Sequence, residues 1–412
     1  MAVTPKRLKL AARLLAALVV VAMANGAMAS VARAQTPSPG GETRQVTPAE
    51  MLLAAAEANR IDILKYLIDR GGDPNAAGAD GSTALMVAAA AGHRDAVAYL
   101  LAHGADVNRA RGDGWTALMA AADRGGAELV PVLVAAGAEV EAREARDGLT
   151  ALMIAARGQS AAAVAALVEA GADLAARDQR RGLSALHHAL RSRRDREGEA
   201  PRAEALGVAT ELIAAGADVN APAADGWTPL MSALDSGEED RVRLVLDAGA
   251  NADAWTEDGR TPLTFAAERG APALVRLLLA RGAAAGVAGG RALAAAAASG
   301  SLELVRLIAE AGAPLDGADA KGRTALAIAA GSGMDEIVVH LLARGAAPNA
   351  ANPRDGTTAL MWAANAGHMD IVRALIAAGA DVGLVADDGW TAAKAAEMAG
   401  HDDIARLLRR GA

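Results

Sequence analysis

The chain has 412 residues, of which 53% are hydrophobic yet only 2% aromatic, with 44 Gly, no Cys and a formal net charge of −8. Apolar content built from Ala, Leu and Val favours helices over strands, and Gly at this density keeps those helices short. The acidic balance argues against nucleic acid, which demands a basic face, and the absence of Cys excludes disulfides, thiolate zinc sites and Cys nucleophiles.

In chain order, the first predicted element is an address. Lys6, Arg7, Lys9 and Arg13 precede an uninterrupted apolar run from Leu14 to Ala24, and small residues lead on to Ala32-Arg33-Ala34. This is the order of a secretory signal peptide, residues 1–34, with cleavage expected after Ala34 or alternatively after Ala29. An apolar run of eleven makes about 16 Å of helix, too short for a hydrocarbon core of roughly 30 Å, so no stable membrane anchor is expected after cleavage. Removal takes five basic and no acidic residues, which leaves 36 basic against 49 acidic residues and a net charge of −13. Residues 35–46 read as a flexible leader, and Thr47-Pro48-Ala49-Glu50 reads as a capping box that opens the first helix.

From there the chain repeats itself. A Gly closes a Leu/Ile/Val pair at 71, 104, 137, 171, 216, 249, 282, 312, 345, 379 and 411, and a second Gly series precedes a Thr or Ser by two residues. Two independent markers keep one period near 33 residues. Residues 80–108 show one unit in full. Asp80-Gly81 marks a turn and Thr83 caps a helix with Leu85, Ala88 and Ala89 on its apolar face. Gly92-His93 reverses the chain, and a second helix presenting Val97, Leu100 and Leu101 ends at Gly104. Two such short helices cannot bury their apolar faces alone and must stack on neighbours.

These units resemble ankyrin repeats. The Thr-Pro-Leu-His-x-Ala pattern of that family stands here as Thr261-Pro262-Leu263-Thr264-Phe265-Ala266 and Thr228-Pro229-Leu230-Met231-Ser232-Ala233. It becomes Thr-Ala-Leu-Met at Thr83 to Met86, Thr116 to Met119, Thr150 to Met153 and Thr358 to Met361. His187, after Ser184, alone keeps the histidine, so the family's hydroxyl–imidazole contact is expected only there. The similarity covers residues 48–412 and implies an all-α ankyrin-repeat solenoid of about eleven stacked helix-turn-helix units with β-turn fingers. The units fall near 47–79, 80–112, 113–146, 147–180, 181–224, 225–257, 258–286, 287–319, 320–354, 355–387 and 388–412.

Two units break the period. The fifth carries an insertion at 191–206, expected as a solvated excursion or slightly lengthened helices, the alternative being a protruding loop that adds a contact; its arginines are interleaved with acids. The eighth is three residues short, with Gly286-Val287-Ala288-Gly289-Gly290 replacing the usual turn and no Thr to cap its first helix. A soft joint is expected at 284–292.

The resemblance implies that the residue between turn Gly and capping Thr sits near the finger tip, on the concave side that meets partners. That position holds Trp115, Leu149, Leu183 and Trp227 in four consecutive units, then Arg260, Arg323 and Trp390 farther on; Trp255 lies in a turn nearby. An exposed apolar stripe of Trp and Leu would mark a protein-binding surface, the alternative being that the Trp rings pack against neighbouring turns. Trp362, between first-helix residues, reads as core. His93, His368 and His401 fall in different units, and the adjacent His187 and His188 point about 100° apart on a helix, so no metal is expected. No Gly-x-Ser-x-Gly elbow, phosphate loop or His-Glu-x-x-His occurs, so neither catalytic nor cofactor-binding residues are assigned, and no cofactor.

The expected function is therefore a non-enzymatic protein-binding scaffold of the cell envelope, monomeric, binding a protein partner on its concave face and no nucleic acid. The Ala-rich, signal-bearing chain looks bacterial, which makes it periplasmic or secreted. The alternatives are a secreted effector of a host protein, an inhibitor or chaperone of a periplasmic enzyme, and an enzyme with an unrecognised site.

Overall fold

The computed structural model describes residues 35–37, 43–124, 126–191, 202–286 and 289–410. The expected signal peptide lies outside the described residues, as does most of the insertion. Within the segment read as a leader, strands β1 (Gln35–Pro37) and β2 (Thr43–Gln45) pair antiparallel. From Pro48 on, the described residues form helical pairs joined by turns.

Two compact units divide at Asp218. The first holds five pairs: α1 (Pro48–Glu57) with α2 (Ile61–Asp69), α3 (Ala84–Ala91) with α4 (Arg94–Ala102), α5 (Ala117–Arg124) with α6 (Val130–Ala135), α7 (Ala151–Gly158) with α8 (Ala161–Glu169), and α9 (Ala185–Leu190) with α10 (Arg202–Ala214). The second holds six: α11 (Pro229–Ser236) with α12 (Glu239–Asp247), α13 (Pro262–Glu268) with α14 (Pro272–Ala280), α15 (Gly289–Ala298) with α16 (Leu302–Glu310), α17 (Ala325–Gly331) with α18 (Asp335–Ala343), α19 (Ala359–Ala366) with α20 (Met369–Ala377), and α21 (Ala392–Met398) with α22 (Asp402–Arg410). Within each unit, first helices stack on first helices. A family of eleven helix pairs is what the period of the sequence requires.

Local chemistry sets the boundaries. Thr47 accepts from the Glu50 backbone at 3.2 Å while the Glu50 carboxylate accepts from the Thr47 N–H at 2.9 Å, the reciprocal cap expected from the sequence. Thr83, Thr116, Thr150, Thr228, Thr261, Thr324, Thr358 and Thr391 each accept from the backbone N–H three residues on. At the other end Gly104, at φ 88°, turns the chain so that the Ala105 N–H reaches the Leu100 carbonyl at 3.0 Å. Pro131 delays the start of α6, and Ala127–Leu129 forms a 3-10 turn ahead of it.

Small residues make the stacking tight. Ala88, Ala89, Ala121, Ala122, Ala155, Ala156 and Ala189 are fully buried or nearly so along the first helices, with Leu85, Leu118, Leu152 and Leu186 beside them. The turns are tied unit to unit by asparagine. Asn75 Nδ2 donates to the Gly104 carbonyl and its Oδ1 accepts from the Asp106 N–H, 2.9 and 2.7 Å; Asn108 repeats this with Gly137 and Glu139, Asn220 with Gly249 and Asn251, and Asn349 with Gly379 and Asp381. Each such side chain satisfies a carbonyl that the helix terminus leaves without an intrahelical partner.

His187 is fully buried and its Nδ1 lies 2.8 Å from the Ser184 hydroxyl, the contact the sequence reserves for it. Thr264 supplies a hydroxyl in its place beside Thr261, at 3.2 Å.

In the period-breaking fifth unit, α10 begins at Arg202 and runs 13 residues against nine in α8. The insertion thus lengthens a helix at its C-terminal part; residues 192–201 lie outside the described ones. In the eighth, α15 starts at Gly289 where other units still have a finger. A Cβ on Gly290 would stand 2.5 Å from Gly317 Cα, so the two backbones touch. Within the soft joint expected at 284–292 that contact pins Gly290, and among the described residues 284–286 are left as the place to look for it. Residue-resolved hydrogen exchange checks it: the exposed Gly286 amide should exchange far faster than that of the fully buried Leu293, and equal protection of the two would contradict it.

Candidate partner-binding face

The fingers come in two lengths. In the short form the residue before the cap returns its carbonyl to the N–H four residues earlier, as Trp115 does to Arg111, Trp227 to Ala223, Arg260 to Thr256, Arg323 to Asp319 and Trp390 to Ala386. In the long form the separation is five: Leu149 to Glu144, Leu183 to Asp178 and Thr357 to Asn352. Each long finger is wound around a buried polar side chain. Glu144 accepts from the N–H groups of Arg146, Asp147 and Leu149 at 2.7, 2.7 and 3.1 Å; Asp178 accepts from Arg181 at 2.8 Å; Asn352 accepts from Arg354 at 3.0 Å.

Among the fingers that carry a large residue, length goes with exposure; the small Ser82, on a short finger, is buried. Leu149 and Leu183 are 3% and 2% exposed, so the expected stripe of exposed Trp and Leu does not form. The long fingers fold their apolar residue inward, where a side chain with no polar atom loses least by leaving water. Trp115, Trp227, Arg260, Arg323 and Trp390, all on short fingers, are half-buried.

Trp115 keeps a free flank. Together with Val87 and Ala90 of α3 and Ala120 of α5 it lines an open groove of about 230 Å³, bordered by Arg111 and Asp123. Arg111 is held away by Asp113, Nε to Oδ1 at 2.8 Å, so its guanidinium sits 5.9 Å from the indole and does not close the groove. Trp227 behaves differently. Its indole N–H donates to Ser232 Oγ at 2.8 Å and its ring meets Phe265 edge-on at 4.8 Å, so it packs against the neighbouring repeat, the alternative foreseen for such rings. Arg260 caps the same cluster, 4.4 Å over the Phe265 ring and 2.7 Å from Asp258.

The remaining expected residues do not join either group. Trp255 is 53% exposed, and its carbonyl packs where a Cβ on Gly226 would stand. Arg323 spends its fork on Asp319, at 3.0 and 2.8 Å. Trp390 holds its own finger through Asp388, N to Oδ1 at 3.0 Å. Trp362, expected as core, is half-buried on the first-helix face with its Cβ close against Gly331.

Sequence reasoning passed over the position four residues after the cap, which places Val87, Ala120, Ser232, Phe265 and Trp362 beside the finger residues, and the position seven after it. The latter carries Asp123, Arg157 and Arg191 in successive repeats of the first unit, and Asp235 and Glu268 in the second. The signal was present in the cap-to-cap register. His188 falls at the fourth position in its repeat and bonds through Nε2 to Asp178 at 3.0 Å. Burial works against ionisation of Asp178, but the His188 contact and the N–H groups of Arg181 and Leu183 outweigh it and hold the carboxyl well below the ordinary range.

His93 reaches the Glu57 carbonyl of the preceding repeat at 3.0 Å, and the His368 and His401 rings lie over Gly333 and Gly367. Among the described residues no group of three or more His, Asp or Glu is placed to hold a metal, and no helix is long and apolar enough to cross a membrane.

Compared with known families, the chain matches the model of ankyrin repeats in three-copy form at residues 51–144, 128–197, 200–288, 274–352 and 332–412. No curated protein matches it.

Proposed function

The chain belongs to the ankyrin-repeat family, whose repeats form protein–protein interaction scaffolds, and from that premise we propose that it is an exported scaffold that grips its partner at the Trp115 groove. The observation that carries this reading is the half-buried Trp115 flanking an open groove shared by α3 and α5. A large half-buried ring bordering an open groove, beside small residues, gives a partner side chain apolar surface to cover, and Trp is among the residues most enriched where interfaces concentrate their energy. Trp227 contributes less, since its indole N–H and ring edge already have partners within the fold.

Export is proposed from the basic, apolar and small-residue order of residues 1–34, and the cell envelope is the compartment it suggests. The family's repeats are generally non-enzymatic scaffolds, and binding is the activity proposed here.

A photocrosslinking residue placed at Ala90, inside the groove, should trap one protein in intact cells. Trp115→Ala should reduce that crosslink about tenfold or more while leaving the far-UV helix signal unchanged. Trp227→Phe should reduce it little. An unaltered crosslink in Trp115→Ala would remove the groove from the binding site. Fractionation tests the location: the chain, lacking residues 1–34, should leave with the periplasmic or extracellular fraction.

A further inference from the structure

We infer that the face beside the Trp115 groove recognises an acidic protein segment, whose carboxylates meet Arg146, Arg157 and Arg191 while an apolar side chain of the same segment fills the groove. This deepens the proposed binding function and rests on that reading.

The charge pattern carries it. The chain as a whole is net acidic, at −8, yet its fourth and fifth repeats gather arginine on the finger and first-helix side. Arg157 closes α7 and Arg191 follows α9 at the same register as Asp123, which borders the groove. Successive packed helices stand about 10 Å apart, so register places these two arginines in line on successive repeats beyond Asp123. Arg146 is exposed on the finger that leads into α7, the helix that carries Arg157.

The acids nearby are already engaged. Glu144 is buried and saturated by three backbone N–H groups; burial works against its ionisation, but those bonds and the Arg157 charge hold its carboxyl below the ordinary range. Asp178 is buried against His188 and the Arg181 N–H. Asp147 faces Arg180 at 3.9 Å. Among the described residues no carboxylate lies at ion-pair distance from Arg146, Arg157 or Arg191. At the corresponding positions of the second unit the charges are matched internally, Asp235 by Arg269 at 3.2 Å and Glu268 by Arg260 at 3.6 Å. Residues 192–201 carry three arginines and three acids and so add no net charge by sequence.

A half-desolvated, same-sign patch attracts the opposite sign, and the guanidinium fork suits carboxylates in particular. Carboxylates on a protein are favoured over phosphates on a nucleic acid, because the net acidic chain repels a polyanion at long range while a short acidic segment meets only the patch.

The test uses the full chain and a displayed library of random 16-residue peptides, followed by fluorescence anisotropy of individual selected peptides and of a 16-nucleotide single-stranded DNA. Retained peptides should be enriched in Asp and Glu with an apolar residue to one side. Their affinity should fall about tenfold in the double variant Arg157→Glu/Arg191→Glu, fall less in Arg157→Gln/Arg191→Gln, and weaken with added salt. Trp115→Ala should weaken the same peptides independently. Circular dichroism confirms that each variant is folded. Retained peptides without acidic enrichment, or acidic ones that bind the Glu variant unchanged, would overturn the inference and leave protein binding at the groove intact. Tighter binding of the DNA than of any peptide would overturn it in favour of a nucleic-acid partner. Failure to retain any peptide, together with no crosslink at Ala90, would sink both readings.

Discussion

Gly290→Val is expected to destabilise the second unit by about 3 kcal/mol, while Gly207→Ala stabilises the first by about 1 kcal/mol. Both glycines lie in helices, and helix propensity alone favours replacing either. The surroundings decide the sign. At Gly290 an added Cβ would meet Gly317 Cα at 2.5 Å and its carbonyl carbon at 3.1 Å. Both are backbone atoms and cannot swing aside, so α15 would have to lift off the turn that follows α16. At Gly207, in the body of α10, the nearest atom is Ala161 Cβ at 4.0 Å, an ordinary contact that adds packing. In an array held by nearest-neighbour interfaces, a broken contact between the first helix of the eighth repeat and the turn that leads into the ninth also weakens the coupling of what lies on either side. Urea unfolding followed by circular dichroism should show a lower midpoint and a broader transition for Gly290→Val, and a higher midpoint for Gly207→Ala. A Gly290→Val protein as stable as the parent would mean that the two backbones do not touch in solution.

The repeat, its helix pairs and most of its caps were legible because they depend on local chemistry that recurs. Thr47, Thr83 and Gly104 act through their own neighbours in sequence, so their roles can be read from spacing. The site was less legible. Leu149 and Leu183 share a register with Trp115, and register alone predicts equal exposure. What separates them is one extra residue in the finger, visible only as intervals of 34 residues between turn glycines, and a buried carboxylate around which the longer finger closes. Trp227 went inward because Ser232 and Phe265, on two different repeats, supply an acceptor and an aromatic edge. Pairings of that kind depend on which repeat stacks on which side chain, and a period by itself does not hold them. The placement of Arg157 and Arg191 was hidden for the same reason: counted along the chain, acids and bases interleave, and only the fold shows Glu144 and Asp178 buried and bonded to backbone N–H groups, with no carboxylate among the described residues at ion-pair distance from the two arginines.

Asp178→Ala should cost about 3 kcal/mol and open the finger of the fifth repeat. The residue is 7% exposed, and besides the Leu183 N–H its carboxylate holds two groups, the Arg181 N–H at 2.8 Å and His188 Nε2 at 3.0 Å. Alanine leaves both without their partner in a place water reaches poorly, which is where removing one member of a pair costs most. Asp178→Asn should cost about 1 kcal/mol, since an amide oxygen still accepts from the backbone; Asn352 does this at the same point of its own long finger. The two variants also separate charge from shape through pH. The folded carboxyl is depressed below its unfolded value near 4, so its contribution is fully present above that pH and is lost as pH falls toward the folded value. The parent should therefore lose more stability between pH 5 and pH 3 than Asp178→Asn does, read as the difference in urea midpoints. Equal losses in the two proteins would show that the charge on Asp178 contributes nothing to the fold. With Leu183 released from the loosened finger, Asp178→Ala should also expose an apolar side chain that is 2% exposed in the parent, and a dye that reports exposed apolar surface should bind the variant before global unfolding begins.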